Sequence, residues 1–147
     1  MVNRRYFKNF DMTEKLILEA KNIKNWSTGY YIFNFKTGEK PLVFAEKEID
    51  QIHKSRNNIF AYKTQTYGNS PTIEIKIDNS NSTDILFNSN RQQKNYYFGK
   101  SELIYYTSKQ GEKLKAALFY PANFDSSKKY PIVLHIYDTG SDEIHKY

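Results

Sequence analysis

Apolar residues along this chain recur with a period of two, in short runs closed by turn residues, and that pattern predicts strands. The clearest run is Thr72-Ile73-Glu74-Ile75-Lys76-Ile77-Asp78, which alternates strictly and puts Ile73, Ile75 and Ile77 on one face. Gly29-Tyr30-Tyr31-Ile32-Phe33-Asn34-Phe35-Lys36 is a strand of aromatic and branched residues. Thr37-Gly38-Glu39-Lys40 reads as a turn, and Leu42-Val43-Phe44-Ala45, after Pro41, as a short strand. Residues 14–21 contain helix-favouring Leu, Glu, Ala and Lys, but the apolar run is short and poorly capped. Its neighbours make it a strand, followed by a loop over 22–28. Further strands are predicted at 58–64 and 83–87, with a loop at 67–71 and a turn at 79–82.

The second series of strands follows the first at an offset of about 43 residues, inside the ~40–45 range of a four-stranded propeller blade. Two copies leave an ordinary β-meander open as well.

Beyond residue 88 the pattern changes. Residues 88–100 are polar around the aromatic knot Tyr96-Tyr97-Phe98 and read as a linker between architectures. Strands at 101–108 and 113–120 flank Lys109-Gln110-Gly111-Glu112 and make a hairpin, ended by Pro121. A polar surface loop over 123–129 leads to Tyr130-Pro131-Ile132-Val133-Leu134-His135-Ile136-Tyr137. That run has the composition of a strand buried on both faces in a mostly parallel sheet. The polar loop after it, Asp138-Thr139-Gly140-Ser141-Asp142, would then lie where sites gather in open α/β sheets.

Composition narrows the partners. A length of 147 residues bounds one domain of ordinary size, and a mean hydropathy of −0.77 implies a thin core. Tyr and Phe, at 13 and 10, reinforce the strand reading. The formal charge of +6 raises nucleic acid, but the cations are scattered among strands and offset locally by Glu and Asp, which is a solvated surface and not a binding stripe. The absence of cysteine excludes a disulfide framework, a thiolate metal site and a Cys nucleophile. Met1-Val2-Asn3-Arg4-Arg5 leads into polar residues, so no signal peptide is expected, and no run is long enough to span a membrane.

The chemistry-bearing motifs are few. There is no G-x-S-x-G, no G-x-G-x-x-G and no P-loop. Ser141 lacks a second glycine and a following helix, and reads as loop. His53, His135 and His145 have no metal-ligand spacing, and no cofactor is expected. His145, near Asp142 and Glu143, has the type of a catalytic base but no nucleophile to serve.

The second half of the chain resembles a known family. Ser101-Glu102-Leu103-Ile104-Tyr105-Tyr106, Gly111 with Leu114-Lys115, Leu118 with Tyr120-Pro121-Ala122-Asn123-Phe124-Asp125, and Lys128-Lys129 with the apolar run 130–137 are similar to the prolyl oligopeptidase family of serine peptidases. The branch is the one with dipeptidyl peptidase IV and bacterial acyl-peptide hydrolases. The final residues 141–147 fit a bacterial subgroup of it. Upstream, residues 53–58 and 91–96 are similar to its last propeller blades. The resemblance implies a mainly β chain: the last blades of a β-propeller over 1–95, then the first strands of an α/β-hydrolase sheet over 96–147. It implies one site residue, Tyr137, whose hydroxyl would donate to the oxyanion of the tetrahedral intermediate. The family often follows this tyrosine with small residues, where this chain has Asp138-Thr139. The triad Ser, Asp and His follow the hydrolase strands in that family and have no counterpart here. The expectation is thus a slice of a peptidase, inactive alone, whose complete enzyme takes peptide substrates, forms a homodimer and is often exported in bacteria. The alternative is a self-contained β-rich module binding peptide or glycan through exposed tyrosines.

Overall fold

The computed structural model describes residues 13–136 and 140–147. Nine strands form three antiparallel sheets: β1 (Leu16–Lys21), β2 (Thr28–Asn34) and β3 (Gly38–Ala45); β4 (Glu48–Lys54), β5 (Ile59–Thr66), β6 (Asn69–Ile77) and β7 (Asp84–Asn88); and the hairpin β8 (Ser101–Thr107) with β9 (Lys113–Phe119). Each sheet is a meander, its strands paired in chain order. Short 3-10 turns follow at Arg91–Asn95 and Gly140–Glu143. The mainly β prediction holds. Among the described residues no helix is long and apolar enough to cross a membrane.

The first two sheets pack face to face. Tyr30, Ile32 and Leu42 from one meet Ile49, Phe60 and Tyr62 from the other, all buried, with Ile17, Val43, Ala45 and Ile52 around them. Burial pushes the Tyr30 and Tyr62 hydroxyls above their ordinary titration range. A polar clip closes one end of this seam. Thr28 Oγ1 accepts the Ile49 amide at 2.6 Å and donates to Lys47 O at 2.9 Å, so β4 is stitched to β2 where the sheets meet. Asp78 closes the other end. Its carboxylate, just past β6, takes Lys40 of the first sheet at 2.7 Å and Lys15 at 3.1 Å.

Neither sheet is apolar on one face only. In the first, Leu16, Leu18, Tyr31, Phe33 and Phe44 lie on the side away from the seam, with Tyr31 and Phe44 in edge contact at 5.8 Å. In the second, Ile59, Ala61, Ile73, Ile75 and Ile77 share the outer side with Phe87. Ile77 and Phe87 are each 57% exposed.

Three predictions are corrected. β4 is a strand the apolar pattern does not flag, because a bulge between Asp50 and His53 breaks the alternation. Gln51 takes a left-handed φ of 54° there, and Ile49 and Ile52, three apart, both reach the core. The loop at 67–71 shrinks to a turn at Tyr67-Gly68, and Pro71 lies inside β6. The largest correction concerns the apolar run. Residues 131–136 form no strand, and Ile132, Val133, Leu134 and Ile136 are 72%, 91%, 77% and 90% exposed. Composition made this run fit for a buried strand, but a strand needs neighbours, and the hairpin sheet that precedes it in the chain stops at two strands.

The hairpin docks on the loop between β1 and β2. That loop is closed by Trp26 N–H to Asn22 O and Asn22 N–H to Ser27 O, both 2.8 Å, which hold Trp26 at a φ of 60°. A bulky residue seldom occupies that region. Lys115 of β9 lies 3.7 Å from the Trp26 ring centre and donates to Ile23 O, and Lys21 lies over the same ring at 4.8 Å. Tyr105 of β8 donates to Lys24 O at 3.0 Å.

Two measurements test these contacts. A Cβ on Gly29 would sit 2.1 Å from Val43 O, whereas one on Gly68 meets open space. Gly29→Ala is expected to cost about 1–3 kcal/mol in denaturant unfolding, from backbone forced apart, and Gly68→Ala to change little. The Asp78 carboxyl is held below its ordinary pKa, first by the hydrogen bond from Lys40 and then by that from Lys15. A depressed folded pKa gives stability that is whole above the unfolded value and lost as pH falls through the folded one. Stability is therefore expected to fall on acidification below the ordinary carboxylate range. Asp78→Asn should flatten part of that fall and cost about 1–2 kcal/mol at neutral pH.

Candidate functional site

Tyr137, the site residue implied by the family resemblance, lies outside the described residues. The other residues singled out in the sequence do not converge. Ser141 lies in the 3-10 turn Gly140–Glu143. His145 is buried, and its Nε2–H donates to Asn25 O at 3.1 Å, so its ring ties the chain's last residues to the β1–β2 loop. Ser101 Oγ donates to Ile144 O at 2.8 Å beside it. His53 and His135 are exposed. Among the described residues no group of His, Asp and Glu is placed to hold a metal ion.

What the fold does build is a cleft at one end of the second sheet. Along β5 the seam-facing side chains change from Phe60 and Tyr62 to Thr64 and Thr66. On β6, Thr72 stands opposite Thr64 and Glu74 opposite Tyr62. The apolar seam thus becomes polar, and an open cleft of about 830 Å³ begins. Its floor is settled electrostatically. Glu74 Oε1 accepts Lys47 Nζ at 3.0 Å and Thr64 Oγ1 at 2.8 Å, so the acid is already neutralised.

The 3-10 turn Arg91–Asn95 walls the cleft, and Gln93 fixes it there. Gln93 Oε1 accepts the Ser70 amide at 2.9 Å, and Gln93 Nε2 donates to Gly68 O at 2.6 Å. Asn90 starts the turn in a left-handed conformation, φ 47°, which short amide residues tolerate. Ser70 Oγ donates to Ser89 O at 2.7 Å and Ser89 Oγ to Pro71 O at 2.6 Å, so the segment entering the turn is held as well.

Beyond the turn the wall is aromatic. Tyr96 and Phe98 line the cleft and a second hollow of about 430 Å³ that adjoins it. Tyr96 and Tyr97 are 68% and 78% exposed, and Phe98 stacks on Tyr147 at 5.7 Å. Among the described residues Arg91 and Lys94, which line the cleft, have no ion pair, and the side-chain amide of Asn88 there has no partner. The aromatic knot at 96–98 was visible in the sequence as part of a linker. Its meeting with Gln93 and the β5–β6 turn is a matter of tertiary structure, for which the sequence carried no periodic signal.

Gln93→Ala removes both ends of this tether. It is expected to lower stability by about 1–3 kcal/mol and to speed hydrogen exchange at the Ser70 amide, measured by NMR, while Gln92→Ala leaves that amide protected. Compared with known proteins, the chain matches no family model, no characterised protein and no solved structure.

Proposed function

We propose that this chain is part of a serine peptidase of the prolyl oligopeptidase family, comprising the last blades of a propeller and the first strands of an α/β-hydrolase domain. The observation that carries the first half is the offset of about 43 residues between two antiparallel meanders, each apolar on both faces. At that offset β1, β2 and β3 fall on β5, β6 and β7. A repeat unit with two apolar faces needs a neighbour on each, which is how blades stack. The seam between the two sheets described above is one such contact.

The second half rests on the resemblance over 101–147. It is supported by the β8–β9 hairpin and by the uncovered run 132–136, whose apolar side chains need strands beside them and layers above and below. In a hydrolase sheet, Tyr137 would end that run with its hydroxyl toward the substrate carbonyl, and the complete enzyme would cleave peptide bonds through an acyl-enzyme. The described residues contribute scaffold to that chemistry and no nucleophile.

The reading frame of the source gene tests this directly. A G-x-S-x-G motif is expected on the order of a hundred residues after Tyr147, as the nucleophile elbow of the hydrolase fold. In the enzyme so defined, Tyr137→Phe is expected to lower kcat by about 10²–10³, and a loss below about threefold would remove Tyr137 from the mechanism. The chain by itself should take no label from a fluorophosphonate. A gene without the motif, or a chain that is labelled stoichiometrically, sinks the proposal.

A further inference from the structure

The cleft walled by Arg91–Asn95 has a chemistry that peptide hydrolysis does not use. Its floor strands β5 and β6 are interior to their sheet, so their main-chain groups are already paired and none is left to bind an extended peptide. What remains is side-chain chemistry: the amide of Asn88 and the cations Arg91 and Lys94, none of them paired among the described residues, and the exposed ring of Tyr96. The one carboxylate on the floor, Glu74, is committed to Lys47 and Thr64, so the free charge of the cleft is positive.

Each of these groups selects a feature of the ligand. A guanidinium and an ammonium on one wall select carboxylates, and the guanidinium does so by two parallel hydrogen bonds. A flat, water-exposed phenol ring selects a flat apolar surface. An amide, with a donor and an acceptor side, selects neighbouring hydroxyls. The ligand that carries all three is a pyranose with a carboxylate. Its C–H face lies on an aromatic ring, its hydroxyls pair with the amide, and its acid meets the cations. The volume of about 830 Å³, extended by the adjoining hollow of about 430 Å³, is of a size for an oligosaccharide and not for one sugar ring.

We infer that the cleft formed by β5, β6, Arg91–Asn95 and Tyr96 binds an acidic oligosaccharide built of uronic-acid units, with Arg91 and Lys94 on the carboxylates and Tyr96 under a sugar ring. The inference concerns this cleft alone and stands or falls apart from the peptidase reading.

The test is calorimetric titration of the full chain with tetragalacturonate, its fully methyl-esterified counterpart, tetraglutamate and octathymidylate. The acidic sugar is expected to bind saturably below about 1 mM, and the ester at least about tenfold more weakly, the loss of a charge-assisted hydrogen bond. Arg91→Gln and Tyr96→Ala, both at exposed positions, are each expected to weaken the acidic sugar about tenfold with Tm unchanged. Four results overturn the inference: no saturable binding of tetragalacturonate, equal binding of the ester, equal or tighter binding of the peptide or the oligonucleotide, or binding unaffected in both variants.

Discussion

The fold depends on one contact, the packing of Tyr30, Ile32 and Leu42 against Ile49, Phe60 and Tyr62. Each sheet alone is a thin meander with half its backbone edge open and no second layer, a form of marginal stability in water. Joined, the two sheets enclose a dry strip. The strip is narrow, so its ends matter. Thr28 satisfies the β4 amide at Ile49 at one end, and Asp78 draws two lysines together at the other. Without these polar groups the seam would end in unpaired main chain and unopposed charge.

The outer faces follow from the same constraint. The first sheet is apolar on both sides through successive residues of β2, and the second through Phe60 and Tyr62 of β5 on the seam side and Ile73, Ile75 and Ile77 of β6 on the outer side, which makes each sheet fit to be an inner layer. One side is used in the seam and the other is half-covered. The run 132–136 takes this further, since its apolar side chains have almost no cover among the described residues. The contrast with the tightly clipped seam is physical: burial there is reciprocal between two sheets, while the run has composition without a counterpart. These features underlie the peptidase proposal, and they are independent of the cleft, which owes its polarity to Thr64, Thr66 and Thr72.

Much of the strand order was legible from alternation alone. β2 was readable from its run of aromatic and branched residues, β6 from its unbroken period of two, and the β8–β9 hairpin from the glycine turn at Gly111. β4 was not, because its bulge at Gln51 changes the side on which successive residues fall, and only two of its residues are aliphatic. The run 131–136 was misjudged for a different reason. Side-chain composition states what an environment a segment could occupy, while occupancy depends on partners elsewhere in the chain. The cleft was invisible for a related reason: Gln93, Ser70 and Gly68 are ordinary polar residues until the turn brings them together. Tyr137 rests on resemblance alone.

Trp26 is the single tryptophan of the chain, and it stands where the hairpin meets the first sheet, not in the seam. Its indole is therefore an intrinsic fluorophore for one event. Emission follows the departure of Lys115 and Lys21 from the ring, and the seam, which carries no tryptophan, does not contribute to it. The indole thus reports on one joint of the molecule, and loosening of the hairpin can be watched without disturbing the sheets that carry it.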